Sequence, residues 1–172
     1  MSAVVAGGLL LAAALWLWRL AAAEPIVARL PRARVRYDDT VPGRPLEAPL
    51  VSHRHRLAGR PDFLVEHRGR IIPVEAKPAR RAAAPRPGDV LQLAAYCLLV
   101  EDVLGQRPPF GILRYADRSW DVAFDDAARA QVLAVLDAMD ADAAAADVAR
   151  SHDRPGRCAR CGLRAACDQR LA

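Results

Sequence analysis

Residues 61–77 read PDFLVEHRGRIIPVEAK. Two runs rich in Val, Ile, Leu and Phe flank the polar break His67-Arg68-Gly69-Arg70, which is the pattern of a β-hairpin. If Arg68 and Gly69 are the central turn residues, Asp62 lies directly opposite Glu75. Strand side chains alternate between faces, so Lys77 shares a face with Glu75 and one side of the sheet collects Asp, Glu and Lys. A different turn type shifts the pairing by one residue and separates them.

Two adjacent carboxylates on a half-buried sheet repel each other and raise one another's pKa unless a cation neutralises them. Hard oxygen ligands of this kind suit Mg²⁺ or Mn²⁺, which can activate a water and stabilise charge on a phosphoryl oxygen. Lys77 has a special standing: among 25 Lys and Arg residues it is the one lysine, the other 24 being arginine. A compact ammonium beside a metal can hold a water or phosphate oxygen, whereas a planar guanidinium cannot take the same position. Singly, each of these residues reads as a solvated salt-bridge face; jointly they read as a catalytic centre.

Working outward, residues 78–88 form a loop rich in Arg and Pro, in which Arg80, Arg81 and Arg86 are candidates for contacting phosphate. Asp89 is a reasonable N-cap for a helix running through Gln92 and Tyr96 toward Leu104, with Gly105 as its stop. Residues 110–115 and 119–124 predict a second hairpin, and Asp125 or Asp126 caps an Ala-rich helix reaching to about Val148. A first strand is expected over residues 50–57, with His53 and His55 on it. Together these elements predict an α/β fold, a mixed central sheet flanked by helices.

The pattern resembles the PD-(D/E)xK nuclease superfamily, met by Pro61-Asp62 and by Glu75-Ala76-Lys77. Gln92 and Tyr96 match the Gln-x3-Tyr helix motif of its RecB-like branch, and i,i+4 spacing puts both on one helical face. The tail pattern Cys158-x2-Cys161-x5-Cys167 narrows the likeness to the CRISPR-associated RecB-like exonucleases. The resemblance implies a restriction-endonuclease-like fold and cleavage of single-stranded or end-exposed DNA. Asp62, Glu75, Lys77, Gln92 and Tyr96 would be catalytic, and the metal would be held by Asp62, Glu75 and the carbonyl of Ala76. It also implies a [4Fe-4S] cluster on Cys158, Cys161 and Cys167; zinc uses similar thiolate ligands. No cysteine precedes Cys97, so the family's upstream cluster ligand has no counterpart here, and His152 is the other candidate. Cys97 itself reads as a buried thiol. The rival functions are a catalytically silent nucleic-acid-binding module and a membrane scaffold on the same fold.

The N-terminal region has a different character. Residues 3–18 are apolar without interruption and residues 20–23 continue the run after Arg19, enough for a helix of roughly 30 Å. We read residues 1–23 as a transmembrane anchor, against the rival of a cleavable signal peptide that lacks a positive n-region. Arg29, Arg32, Arg34 and Arg36 follow, so the positive-inside rule puts the body in the cytoplasm. Residues 24–49 read as a Pro- and Arg-rich linker, and residues 50–172 as the nuclease domain, closed by the cysteine cluster at 151–172. A net charge of +5 agrees with a polyanionic partner, here DNA.

Overall fold

The computed structural model describes residues 34–38 and 48–171. The hairpin of residues 61–77 lies at its centre. Strands β4 (Phe63–His67) and β5 (Arg70–Lys77) pair antiparallel with Phe63 opposite Val74 and His67 opposite Arg70. Arg68 and Gly69 have φ of 51° and 76°. Two successive left-handed residues make a type I′ turn, whose twist matches that of the flanking strands, and Gly at the second position carries no steric penalty there. The register expected from the sequence is therefore the observed one.

Strand β6 (Phe110–Tyr115) pairs parallel with β5, and β7 (Ser119–Ala123) pairs antiparallel with β6. Strand β1 (Arg34–Asp38) pairs antiparallel with β4, completing a mixed five-stranded sheet in the order β1-β4-β5-β6-β7. The strand at 34–38 lies inside the segment read as linker, so that reading is corrected for these five residues. Its Pro- and Arg-rich surroundings hide the short alternation that a sheet edge can recruit. The expected strand over 50–57 is also corrected. Strands β2 (Leu50–Ser52) and β3 (Leu57–Gly59) form a separate two-stranded sheet. His53 and His55 lie in the turn between them, where the Ser52 hydroxyl accepts a hydrogen bond from the His55 N–H at 3.0 Å.

Helix α1 (Pro87–Leu104) is the crossover between the parallel strands β5 and β6, and Gly105 closes it in the left-handed conformation. Its start departs from expectation: Arg86 is the N-cap without a side-chain hydrogen bond, Pro87 opens the helix, and Asp89 lies in the first turn. Proline at the first helical position has no N–H to satisfy and a preset φ, so no polar cap is required. One side of α1 meets the central sheet and another meets the β2-β3 pair. Leu99 and Val100 pack with Leu50, Leu64 and Ile71, while Leu93 packs with Leu113 and Tyr115. Covered on two sides, the helix can be apolar nearly all round from Leu91 to Val100. Phe63, Val65, Ile72, Val74 and Ile112 form a cluster on the opposite face of the sheet.

Residues 126–172 form a second compact unit. Helix α2 (Asp126–Ala144) starts at the expected acid but ends four residues before Val148. A short helix α3 (Pro155–Cys158) follows. The loop around it is closed by Gln169, whose side-chain oxygen accepts from the Arg150 N–H at 2.6 Å and whose amide donates to the Val148 carbonyl at 3.3 Å. Among the described residues no helix is long and apolar enough to cross a membrane. The expected anchor at residues 1–23 lies outside the described residues.

Candidate active site

Strand β5 is buried from Ile71 through Glu75 because it runs through the middle of the sheet. Alternation turns Ile72 and Val74 to one side and Ile71, Glu75 and Lys77 to the side covered by α1. Four apolar residues thus deliver a carboxylate and an ammonium to the last turn of the strand, where the core opens to solvent. Glu75 is only 3% exposed, an unusual place for a carboxylate without a full complement of partners.

Asp62 enters just before β4 and its carboxylate accepts the Ala76 N–H at 2.6 Å, which fixes it beside Glu75. The Lys77 ammonium forms an ion pair with Glu75 and donates to the Gln92 side-chain oxygen at 3.2 Å. Gln92 in turn donates to the Tyr96 hydroxyl at 3.0 Å. Gln92 and Tyr96, one helical turn apart on α1, therefore orient the lysine from the opposite layer. All five residues proposed as catalytic converge on one side of the sheet. The ring of Tyr96 lies against Gly59 of β3, where a Cβ would stand 2.8 Å from Cε1, so this position admits the close approach only as glycine.

Burial pushes the Glu75 carboxyl above its ordinary range, and the neighbouring Asp62 adds to the rise, against the lowering effect of Lys77. The hydrogen bond to Glu75 holds the Lys77 ammonium above its ordinary value, so it is charged at neutral pH. Burial raises the Tyr96 hydroxyl as well, keeping it a neutral donor and acceptor. Two close carboxylates, one of them raised by its environment, form an oxygen donor set that Mg²⁺ or Mn²⁺ relieves of repulsion. The chemistry of this donor pair fits a hard divalent cation.

A second cluster adjoins this one and was not anticipated. Asp89, 7% exposed, accepts both oxygens' worth of hydrogen bonds from Arg80, and accepts one from the Tyr115 hydroxyl. Tyr115 sits beside Lys77 in the β5-β6 pairing, and its ring is crossed edge-on by Trp120 at 4.8 Å. Arg80, expected to meet DNA, is thus engaged within the protein. The signal for this role was present: Asp89, Gln92 and Tyr96 recur at i, i+3 and i+7, one face of one helix. Arg81 and Arg86 are exposed on the same loop.

In the second unit, Cys158 is buried, Cys161 exposed and Cys167 intermediate, and none is in a disulfide. All three line one cavity of about 510 Å³, together with His152. Among the described residues no three or more His, Cys, Asp or Glu side chains are grouped to hold a metal ion. Cys97 is a buried core thiol of α1, pushed far up by burial.

A mixed sheet with two carboxylates and a lysine at the end of its central strand is an arrangement suited to metal-assisted hydrolysis of phosphodiesters. The family model of the PD-(D/E)XK nuclease superfamily matches residues 6–168, and the chain belongs to that superfamily. Membership implies a nucleic-acid substrate and a divalent cation. Among curated proteins, none matches the chain.

Proposed function

We propose that the protein is a Mg²⁺- or Mn²⁺-dependent deoxyribonuclease, exonuclease-like on single-stranded or end-exposed DNA. The observation that carries this reading is the single chain of contacts Asp62, Glu75, Lys77, Gln92 and Tyr96 at the open end of a buried strand. A binding module has no need of a buried carboxylate with a second, half-buried one beside it, whose repulsion costs stability unless a cation is gathered there.

Asp62, Glu75 and the Ala76 carbonyl would hold the cation. Bound there, it supplies Lewis-acid stabilisation of charge building on a phosphoryl oxygen and favours ionisation of the attacking water. An ammonium has three donors, and Glu75 and Gln92 occupy two of those of Lys77, leaving one for that water or for a phosphate oxygen. Gln92, itself fixed by Tyr96, stops the flexible lysine stem from wandering, which is the preorganisation such sites require. The Gln92-x3-Tyr96 pair and the tail cysteines support placement in the RecB-like, CRISPR-associated branch. Three thiols around one cavity support a [4Fe-4S] cluster there, with zinc as the alternative. The apolar run at residues 3–18, followed by the arginine cluster, supports an anchored protein with a cytoplasmic body.

The test is Mn²⁺-dependent cleavage of linear single strands, linear duplex and closed circular DNA by the full chain, after anaerobic purification with iron, sulfide and zinc analysis. Linear DNA should be degraded from its ends and circles spared. Cut circles would show an endonuclease, and no cleavage of any substrate would leave a silent nucleic-acid-binding module. Zinc without iron would remove the iron-sulfur reading, and no metal at all would remove both.

A further inference from the structure

A cleft of about 550 Å³ includes Lys77 in its lining, together with Ala76, Pro78, Arg80, Arg81 and Arg86. Among the described residues no acidic side chain lines it. Its size lies within the range of roughly 300–1,000 Å³ typical of small-ligand sites. The three arginines are not equivalent. Arg80 is committed to Asp89. The Arg81 and Arg86 guanidiniums have no hydrogen-bonding or ionic partner among the described residues.

The loop that carries them is held at several points. The Arg80 N–H donates to the Lys77 carbonyl at 2.9 Å, and the Arg80 carbonyl accepts from the Ala116 N–H at 2.9 Å. Ala82 packs against the Leu93, Leu113 and Tyr115 cluster. The Arg86 N–H donates to the Tyr115 hydroxyl at 2.9 Å. Arg81 thus stands between two anchored residues and Arg86 is anchored through its own main chain. Two cationic forks are presented on a fixed backbone beside the reactive lysine, with little ordering left to do on binding.

We propose that this cleft seats backbone phosphates of the substrate strand next to the bond being cut, through Arg81 and Arg86, while Arg80 only builds the wall. The proposal rests on the nuclease reading for the identity of the polyanion. Planar guanidinium matches phosphate geometry in a two-pronged contact, and contacts to phosphate carry register rather than base sequence. The site therefore favours a nucleic-acid strand without sequence preference, threaded from the cleft toward Lys77.

The experiment measures binding apart from cleavage. A fluorescein-labelled single-stranded oligothymidylate is titrated with the full chain in EDTA, and anisotropy gives the affinity between 50 and 200 mM salt, about the range over which phosphate contacts are read. Arg81→Ala and Arg86→Ala should each flatten the slope of log affinity against log salt by about 0.7, the value for one phosphate contact on a single strand. Arg81→Lys should recover the slope, because it keeps the charge. Arg80→Gln should lower the melting temperature and leave the slope at the parent's value. Parental slopes in Arg81→Ala and Arg86→Ala, with folding unchanged by circular dichroism, would overturn the proposal, as would a slope lost only at Arg80. If the parent binds with the expected arginine dependence but never cleaves with Mn²⁺, the nuclease reading fails and the cleft stands. If it cleaves while the two alanine variants bind like the parent, the cleft fails and the nuclease reading stands.

Discussion

Glu75 and Asp89 are both buried carboxylates close to Lys77, 3% and 7% exposed, yet their environments push them in opposite directions. Glu75 is raised by burial and by the Asp62 charge. Burial would raise Asp89 too, but the hydrogen bonds from Arg80 and Tyr115 outweigh it and hold the carboxyl below its ordinary value. Burial alone therefore does not tell a working acid from a structural one; the partners do. An acid given a cation and a hydroxyl of its own is part of the scaffold. An acid placed beside another acid, with a lysine shared between it and Gln92, is the arrangement whose repulsion the proposed divalent cation would relieve.

The comparison breaks most sharply if both acids are removed in turn. Glu75→Gln should reduce Mn²⁺-dependent cleavage on the order of a hundredfold or more, with the melting temperature unchanged or raised, since it relieves the repulsion with Asp62. Lys77→Arg should lose activity to a comparable extent while still binding Mn²⁺, because the guanidinium keeps the charge and not its position. Initial rates across a Mn²⁺ titration check both, and a fewfold change in either would place the chemistry elsewhere.

Asp89→Ala should do the reverse, lowering stability by about 1–3 kcal/mol because the buried Tyr115 hydroxyl loses its acceptor, with a much smaller effect on turnover. Thermal melts of this variant and of the Glu75→Gln protein, compared side by side, decide the matter. Equal destabilisation in both would mean that Glu75 is scaffold as well.

pH separates the two acids by sign. A raised folded-state value means the native protein binds the extra proton, so in metal-free protein the Glu75 contribution to stability declines as pH rises above its ordinary value of 4.5. The lowered value of Asp89 means the opposite: its contribution is present above the ordinary 3.8 and is lost as pH falls below it. Melting temperatures from pH 3 upward should show both slopes, with Glu75→Gln erasing the first and Asp89→Asn the second.

The smallest effect tests the register that makes the comparison possible. Gly69→Ala should cost about 1 kcal/mol, since φ of 76° penalises a side chain, and should leave Mn²⁺ affinity intact because Arg68 still turns the chain at the same place. A weakened Mn²⁺ affinity in folded protein would show that the turn slips and carries Asp62 away from Glu75.

Residues 61–77 alone determined the hairpin, its turn and the shared face of Asp62, Glu75 and Lys77, because strand alternation and a two-residue turn are local rules with little freedom. Helix α1 with Gln92 and Tyr96 on one face was legible for the same reason. Only the tertiary structure decided what lies between distant segments. Strand β1 forms because β4 offers it an edge, and β2 and β3 separate from the main sheet because the second side of α1 needs a cover. Arg80 turns inward for a similar reason: Asp89 and Tyr115, 9 and 35 residues further along the chain, meet it where α1 starts and β6 ends. Local propensity is set by neighbours along the chain. The partner of a charged side chain is set by which elements pack together, and one loop arginine was drawn into the scaffold while the next two, Arg81 and Arg86, stayed exposed.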